Sequence, residues 1–188
     1  MEKLIIALRK YGALSDELIE RLSGMVRTKR YKKGAFLLKE GMVDHHVWFI
    51  ESGLLVIYQN GDEKILVTWI LEADDFVIAT DSFESHEPTK DNILAEEETV
   101  AWFINREELI ATCRNFPEFF EIYTAIHGAY RKKESEHVAQ MGKHEFDRFE
   151  WLWKARRHLF TRLKKEFLAS YLWMTVAMFD KARKERGK

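Results

Sequence analysis

Between Arg27 and Ile104 the chain alternates short runs of Val, Ile, Leu, Phe, Trp and Tyr with glycine or acidic turns: AFLLKEG, HVWFIESG, LLVIYQNGDE, KILVTWILEADD and ILAEEETVAWFI. Runs this short, evenly spaced and without a long helical insert predict an antiparallel sandwich or barrel. Asn60-Gly61, between LLVIY and KILVTWI, predicts a tight hairpin. Gly34, Gly41 and Gly53 fall at turns, where a positive φ favours glycine. Val47, Phe49, Leu55, Ile57, Leu66, Thr68 and Ile70 are expected to alternate between core and surface with the strand period.

Helical periods flank this region. Before it, Leu4, Ile5, Leu8, Leu14, Leu18 and Leu22 recur at helical spacing, with Ser15 as a helix start. After it, Asn105-Arg106-Glu107-Glu108 reads as an N-cap with carboxylates in the first turn. From Pro117 onward, Phe119, Ile122, Tyr123, Ile126, Tyr130, His137 and Met141 form one stripe spaced by threes and fours. Such a stripe belongs to a helix lying on its own domain or to a dimer seam, and the near-heptad spacing favours the seam. The last stretch holds a helix around FDRFEWLWKA, a basic break at Arg156-Arg157, and two short helices, the second strongly basic. That is the outline of a helix-turn-helix.

Charge is divided unevenly. The net charge of −1 splits into +7 over residues 143–188, with thirteen Lys and Arg against six Asp and Glu, and −8 over residues 1–142. An acidic body with a basic tail directs attention to nucleic acid. The single cysteine, Cys113, excludes an internal disulfide or a four-cysteine metal site; it reads as a small core residue in a reducing, cytoplasmic protein. No apolar run approaches the roughly 20 residues of a membrane span, so no membrane partner is expected. No catalytic motif stands out, and an enzyme is not expected. His45-His46 reads as a surface pair, since neighbours in an extended segment point apart. His137 and His144, seven apart, read as seam or surface residues, so neither a metal nor a cofactor is expected.

Four segments in order resemble one known family. YKKGAFLLKEG is similar to a strand-turn, and VWFIESGLLVIY to a strand-turn-strand, of the Crp/Fnr superfamily of bacterial transcription regulators. WILEADDFVIATDSFESHEPTKDNILAEEETVAWFINREEL follows that family's effector-cassette region, and EFLASYLWMTVAMFDKARK its recognition region. The chain most resembles the short members typical of the Bacteroidetes. The resemblance implies an α+β fold: an antiparallel jelly roll like a cyclic-nucleotide-binding domain, a long dimerisation helix and a small C-terminal helix-turn-helix domain. The boundaries expected are residues 1–115 for the N-terminal helices and effector-type jelly roll, 116–144 for the dimerisation helix and 145–188 for the DNA-binding domain. The partners implied are a second copy, double-stranded DNA, RNA polymerase and an unknown small-molecule effector.

The resemblance also supplies site candidates. Asp74, Asp75, Phe76, Thr89, Lys90 and Asn92 are set against the effector pocket, with Asp74-Asp75 in the place of the Gly-Glu pair that holds ribose. Ten acidic residues lie between Glu72 and Ala101, and Lys90 is the only cation there. A buried phosphate needs charge-assisted donors, ideally an arginine, so tight cyclic AMP binding of the usual kind is not expected.

In the tail, Thr175, Ala177, Met178, Lys181, Arg183, Lys184 and Arg186 are the DNA-binding candidates, with Lys188 on the same basic face. Trp173 stands where the family commonly has a turn glycine, and Ala177, Met178, Asp180 and Lys181 stand where it has a polar base-reading set. The function expected is a dimeric DNA-binding transcription regulator with a degenerate effector pocket. Its alternative is a dimeric ligand-sensing or protein-interaction module that has lost specific DNA recognition.

Overall fold

The structure, a computed structural model, describes residues 1–62, 64–77 and 81–187, Asp81 by its backbone alone. Two short helices, α1 (Glu2–Arg9) and α2 (Asp16–Met25), open the chain. Ser15 starts the second: its hydroxyl accepts from Leu18 N at 3.2 Å, and Asp16 and Glu17 sit at the positive end of the helix dipole.

Among the described residues eight strands follow: β1 (Arg27–Tyr31), β2 (Phe36–Leu38), β3 (His46–Ser52), β4 (Leu54–Asn60), β5 (Ile65–Glu72), β6 (Phe76–Val77), β7 (Asp91–Ala95) and β8 (Thr99–Asn105). A five-residue helix, α3 (Asp81–Ser85), precedes β7. The strands form two four-stranded antiparallel sheets, ordered β1-β8-β3-β6 and β2-β7-β4-β5. The expected jelly roll is therefore present. Gly53, between β3 and β4, has φ +111°, and a Cβ there would lie 2.3 Å from Thr99 Oγ1 and 2.6 Å from its Cα. Only glycine allows that turn to close against β8.

The expected hairpin after Asn60 is present: Asn60 pairs with Ile65, and Gly61 N donates to Lys64 O at 3.0 Å across the loop. One expectation needs correction: β3 and β4 do not alternate between core and surface. Trp48, Phe49 and Ile50 are buried in succession, as are Leu54 to Ile57, because both faces of β3 and β4 are covered there. Between the sheets, Tyr31, Trp48, Ile50, Leu55, Ile57 and Ile93 pack with Trp69 and Phe103. Outside the first sheet, Phe49, Phe76 and Ile104 meet α1, α2 and the helices that follow β8. Outside the second, Leu54, Val56, Val67 and Ile70 join the core of the C-terminal helices. Each such side chain, fully buried, contributes about 1.5–3 kcal/mol.

The remaining helices are α4 (Arg106–Asn115), α5 (Pro117–Met141), α6 (Glu145–Arg156), α7 (Leu159–Arg162), α8 (Lys165–Tyr171) and α9 (Val176–Arg186). Asn105 and Glu108 form a reciprocal capping box at α4, and Pro117 occupies the first turn of α5, where its missing N–H costs nothing.

The α5 stripe does not form a free seam. Phe119, Ile122 and Ile126 are buried with α1, α2 and β3 of their own chain, and Tyr123 and Tyr130 pack at the edge of that cluster. Met141 joins the C-terminal core, and the His137 ring lies 4.2 Å from that of Tyr171, nearly parallel to it. Periods of three and four report burial of a helix face, and here the burying surface is intramolecular.

The C-terminal helices also close the open edge of β5. Ser170 Oγ donates to Ile65 O at 2.9 Å and accepts from Val67 N at 2.9 Å, while Arg156 Nη1 donates to Ile70 O at 3.0 Å. An edge left bare would present unpaired backbone groups to other chains.

Candidate functional site

The last helix, α9, carries exposed basic residues in its second half. Residues 172–175 join α8 to α9. Thr175 begins α9, its hydroxyl accepting from Met178 N at 3.2 Å. Phe179 and Ala182 turn inward, Phe179 packing on Phe149 with ring centroids 5.2 Å apart. The joining turn contains Trp173 at φ +53°, the left-handed conformation that glycine usually supplies. Arg148 Nη1 holds this strained turn by donating to the carbonyls of Leu172 at 3.0 Å and Trp173 at 3.1 Å. Strain of this kind costs on the order of 1–3 kcal/mol and persists only where the surroundings impose it.

The sequence-chosen DNA residues separate into classes. Arg183 and Lys184 are exposed, and among the described residues neither forms an ion pair. Lys181 reaches Glu145 at 3.5 Å; Arg186 reaches Glu150 at 3.3 Å and lies 4.6 Å from the centre of the Trp153 ring. Ala177 is exposed, whereas Met178 is half-buried against the C-terminal core. Lys188 lies outside the described residues.

Sequence reasoning missed the cations nearer the body. Glu72 Oε2 accepts from Arg156 Nη2 at 2.7 Å, and its Oε1 meets Arg162 Nη1 at 2.6 Å and His158 Nε2 at 2.6 Å. Arg162 also donates to Glu97 from Nε at 2.8 Å and Nη2 at 2.7 Å. Burial would raise the Glu72 carboxyl, but Arg156 and then His158 outweigh it and hold it below the ordinary range. Hydrogen bonds from Arg162 likewise lower Glu97. The opposite charges of body and tail were the available signal: part of the basic tail is the counter-charge of its own acidic body.

The six effector-pocket candidates do not converge. Asp74 (φ +72°), Asp75 and Phe76 lie at the β5–β6 turn. Asp75 Oδ1 accepts from Lys133 Nζ at 2.9 Å and Tyr130 Oη at 3.4 Å, and Tyr130 Oη accepts from Phe76 N at 2.8 Å. Burial first, and then the Asp75 charge, pushes the Tyr130 hydroxyl pKa well up. The Tyr130 ring sits 5.6 Å from Trp69, filling the gap between α5 and the roll.

Thr89 and Asn92 belong elsewhere. Thr89 N donates to Met42 O and its carbonyl accepts from Gly41 N, each at 2.8 Å; Asn92 Oδ1 accepts from Glu40 N at 3.2 Å. Lys90 is exposed. Asp75 lines a cavity of about 240 Å³ beside Trp151 and Tyr171, which does not reach Thr89, Lys90 or Asn92.

Other candidates have structural surroundings. The His46 ring packs edge-on against Phe103 at 5.2 Å, and burial lowers its pKa. Cys113 is half-buried, and burial raises its thiol. Among the described residues no group of three His, Cys, Asp or Glu could hold a metal ion, and no helix is long and apolar enough to cross a membrane.

Comparison with known proteins places this geometry. Residues 28–116 match the family model of the cyclic nucleotide-binding domain. FixK2 from Bradyrhizobium japonicum superposes with a TM-score of 0.73 at 15% identity, covering 86% of this chain and 84% of that one. The c-di-GMP-responsive global regulator CLP of Xanthomonas campestris gives 0.70 at 16% identity, covering 92% of each chain. A chain from Eubacterium rectale assigned to the Crp/Fnr family of transcriptional regulators gives 0.72 at 15% identity, covering 92% and 83%. No curated protein matches the sequence significantly. Residues 28–116 are therefore similar to a cyclic nucleotide-binding domain, and most of the chain shares its fold with these solved structures.

Proposed function

We propose that this chain is a DNA-binding transcription regulator acting as a dimer, with α8, the turn 172–175 and α9 as its helix-turn-helix. The observation that carries this reading is the exposed basic surface of α9, with Arg183 and Lys184 facing solvent while Phe179 and Ala182 anchor the helix. Cations in this position suit phosphate contacts along a groove. One such helix makes few contacts, so two-fold symmetry supplies the second half-site.

The seam of that dimer falls on the outer face of α5. Phe120 is 57% exposed and Val138 51%. Thr124 and Gly128 lie between them on the same side, and Gly128 faces open space. Small residues there allow two helices to approach closely, so Gly128→Arg is expected to shift the protein to monomer in sedimentation experiments. An unchanged dimer would remove this face from the seam.

The effector pocket is read as degenerate. Asp75 is engaged by Lys133 and Tyr130, and the cavity it lines does not include Thr89, Lys90 or Asn92. No arginine lies between Glu72 and Ala101 to clamp a cyclic phosphate. An effector of other chemistry, RNA polymerase as a further partner and a cytoplasmic setting complete this reading.

Fluorescence anisotropy with labelled duplexes at two salt concentrations tests it. A sequence preference that survives the higher salt supports a regulator. Binding that vanishes equally for all duplexes leaves only a basic surface, and the protein-interaction alternative replaces it.

A further inference from the structure

The first turn of α9, Val176 to Phe179, carries no polar side chain. With Phe179 and Ala182 buried, positions 177, 180, 181 and 184 fall on the outward side of the helix. The polar groups that flank the first turn have contacts within the chain. Thr175 Oγ1 accepts from Met178 N at 3.2 Å, Asp180 is held by Lys165 at 2.8 Å, and Lys181 turns to Glu145 at 3.5 Å. What the first turn leaves outward is the Ala177 methyl, flanked by half-buried Val176 and Met178. Trp173, 51% exposed, extends this apolar surface beside Val176.

Donors and acceptors distinguish all four base pairs in the major groove, whereas an apolar surface reads one feature there, the C5 methyl of thymine. We propose that α9 selects its site through thymine methyl groups packed against Val176 and Ala177, while Arg183 and Lys184 hold the phosphates. This inference rests on the reading of α9 as the DNA-binding helix and specifies what that helix recognises. Charge complementarity makes duplex DNA the occupant of this face: the apolar turn is followed on the same helix by the exposed cations Arg183 and Lys184.

The test places its main substitution in the DNA, where the fold of the protein is untouched. The full chain selects duplexes from a randomised library, and a selected duplex is resynthesised with deoxyuridine replacing one thymine at a time. Uracil keeps every hydrogen-bonding group of thymine and lacks the methyl. Affinity is expected to fall about fourfold at each contacted thymine, the worth of one buried methyl, and to stay level at flanking thymines. Ala177→Gly is expected to erase the thymine–uracil difference at its contact, with circular dichroism checking that α9 persists. Val176→Ala, which keeps helix propensity, is expected to reduce the difference at the neighbouring thymine.

Selected sites fixed at guanine and indifferent to uracil would overturn the proposal and give the reading role to Lys181. Binding without any sequence selection would overturn it too, while leaving α9 a DNA-binding element. Failure to bind any duplex would overturn both readings and leave this face to a protein partner.

Discussion

Two groups of cations in the same tail do opposite work. Arg156 and Arg162, in α6 and α7, lie mostly covered against Glu72 and Glu97 of the jelly roll. Arg183 and Lys184, in α9, lie exposed and unpaired among the described residues. In sequence the two groups look alike. They differ because Phe149, Leu152 and Leu159 carry α6 and α7 onto the outer face of the second sheet, whereas α9 anchors only its inner side through Phe179 and Ala182. The comparison teaches that a basic run is a nucleic-acid surface only where packing leaves it uncovered.

The largest effect expected from breaking the first group follows Glu72→Ala. It removes the carboxylate that Arg156, Arg162 and His158 share, and a loss of about 2 kcal/mol is expected from urea unfolding. Arg183→Ala with Lys184→Ala is expected to change the same measurement by under ~0.5 kcal/mol, as exposed unpaired side chains do. Equal costs for the two sets would erase the distinction. Unfolding of the Glu72 variant should remain one transition, since Leu54, Val56, Val67 and Ile70 share a core with the C-terminal helices.

Ser170→Ala probes the same docking through the sheet edge. It removes both hydrogen bonds to β5, at Ile65 O and Val67 N, and a loss of about 1–2 kcal/mol is expected. Hydrogen exchange at Val67 N should rise with it, and an unchanged rate would mean that α8 does not cover that edge.

Acid is expected to weaken the docking next. Glu72 and Glu97 have folded pKa values held below the ordinary 4.5. Their contribution is therefore complete above pH 4.5 and is lost as pH falls through the lowered folded values, where the folded state must give up its carboxylates. Denaturation midpoints measured from pH 6 downward should drop below that point, and drop less steeply in Glu72→Gln. Parallel curves for the two proteins would remove Glu72 from the acid response.

Much of this architecture was legible in the sequence. The runs from Arg27 to Ile104 became two sheets, Asn105 and Ser15 became caps, and Gly53 and Trp173 took the positive φ angles that their places in turns implied. What was hidden depended on which surface a stripe meets. Ile122 and Ile126 have the period of a seam, yet they meet α1, α2 and β3 of their own chain. Asp75 and Thr89 belong to neighbouring stretches of sequence, but one turns toward α5 and the other toward the loop after β2. Local pattern reports that a side chain is buried; the tertiary fold decides against what.

In the function proposed, the exposed cations of α9 meet nucleic acid while those of α6 and α7 serve the fold. Affinity for a selected duplex, measured as a function of salt for the wild type and for Arg183→Ala with Lys184→Ala, tests it directly. Each phosphate contact contributes about 0.9 to the slope of log affinity against log salt. The variant is expected to fold normally, with a slope flatter by up to about two units. An unchanged slope in a folded variant would contradict it.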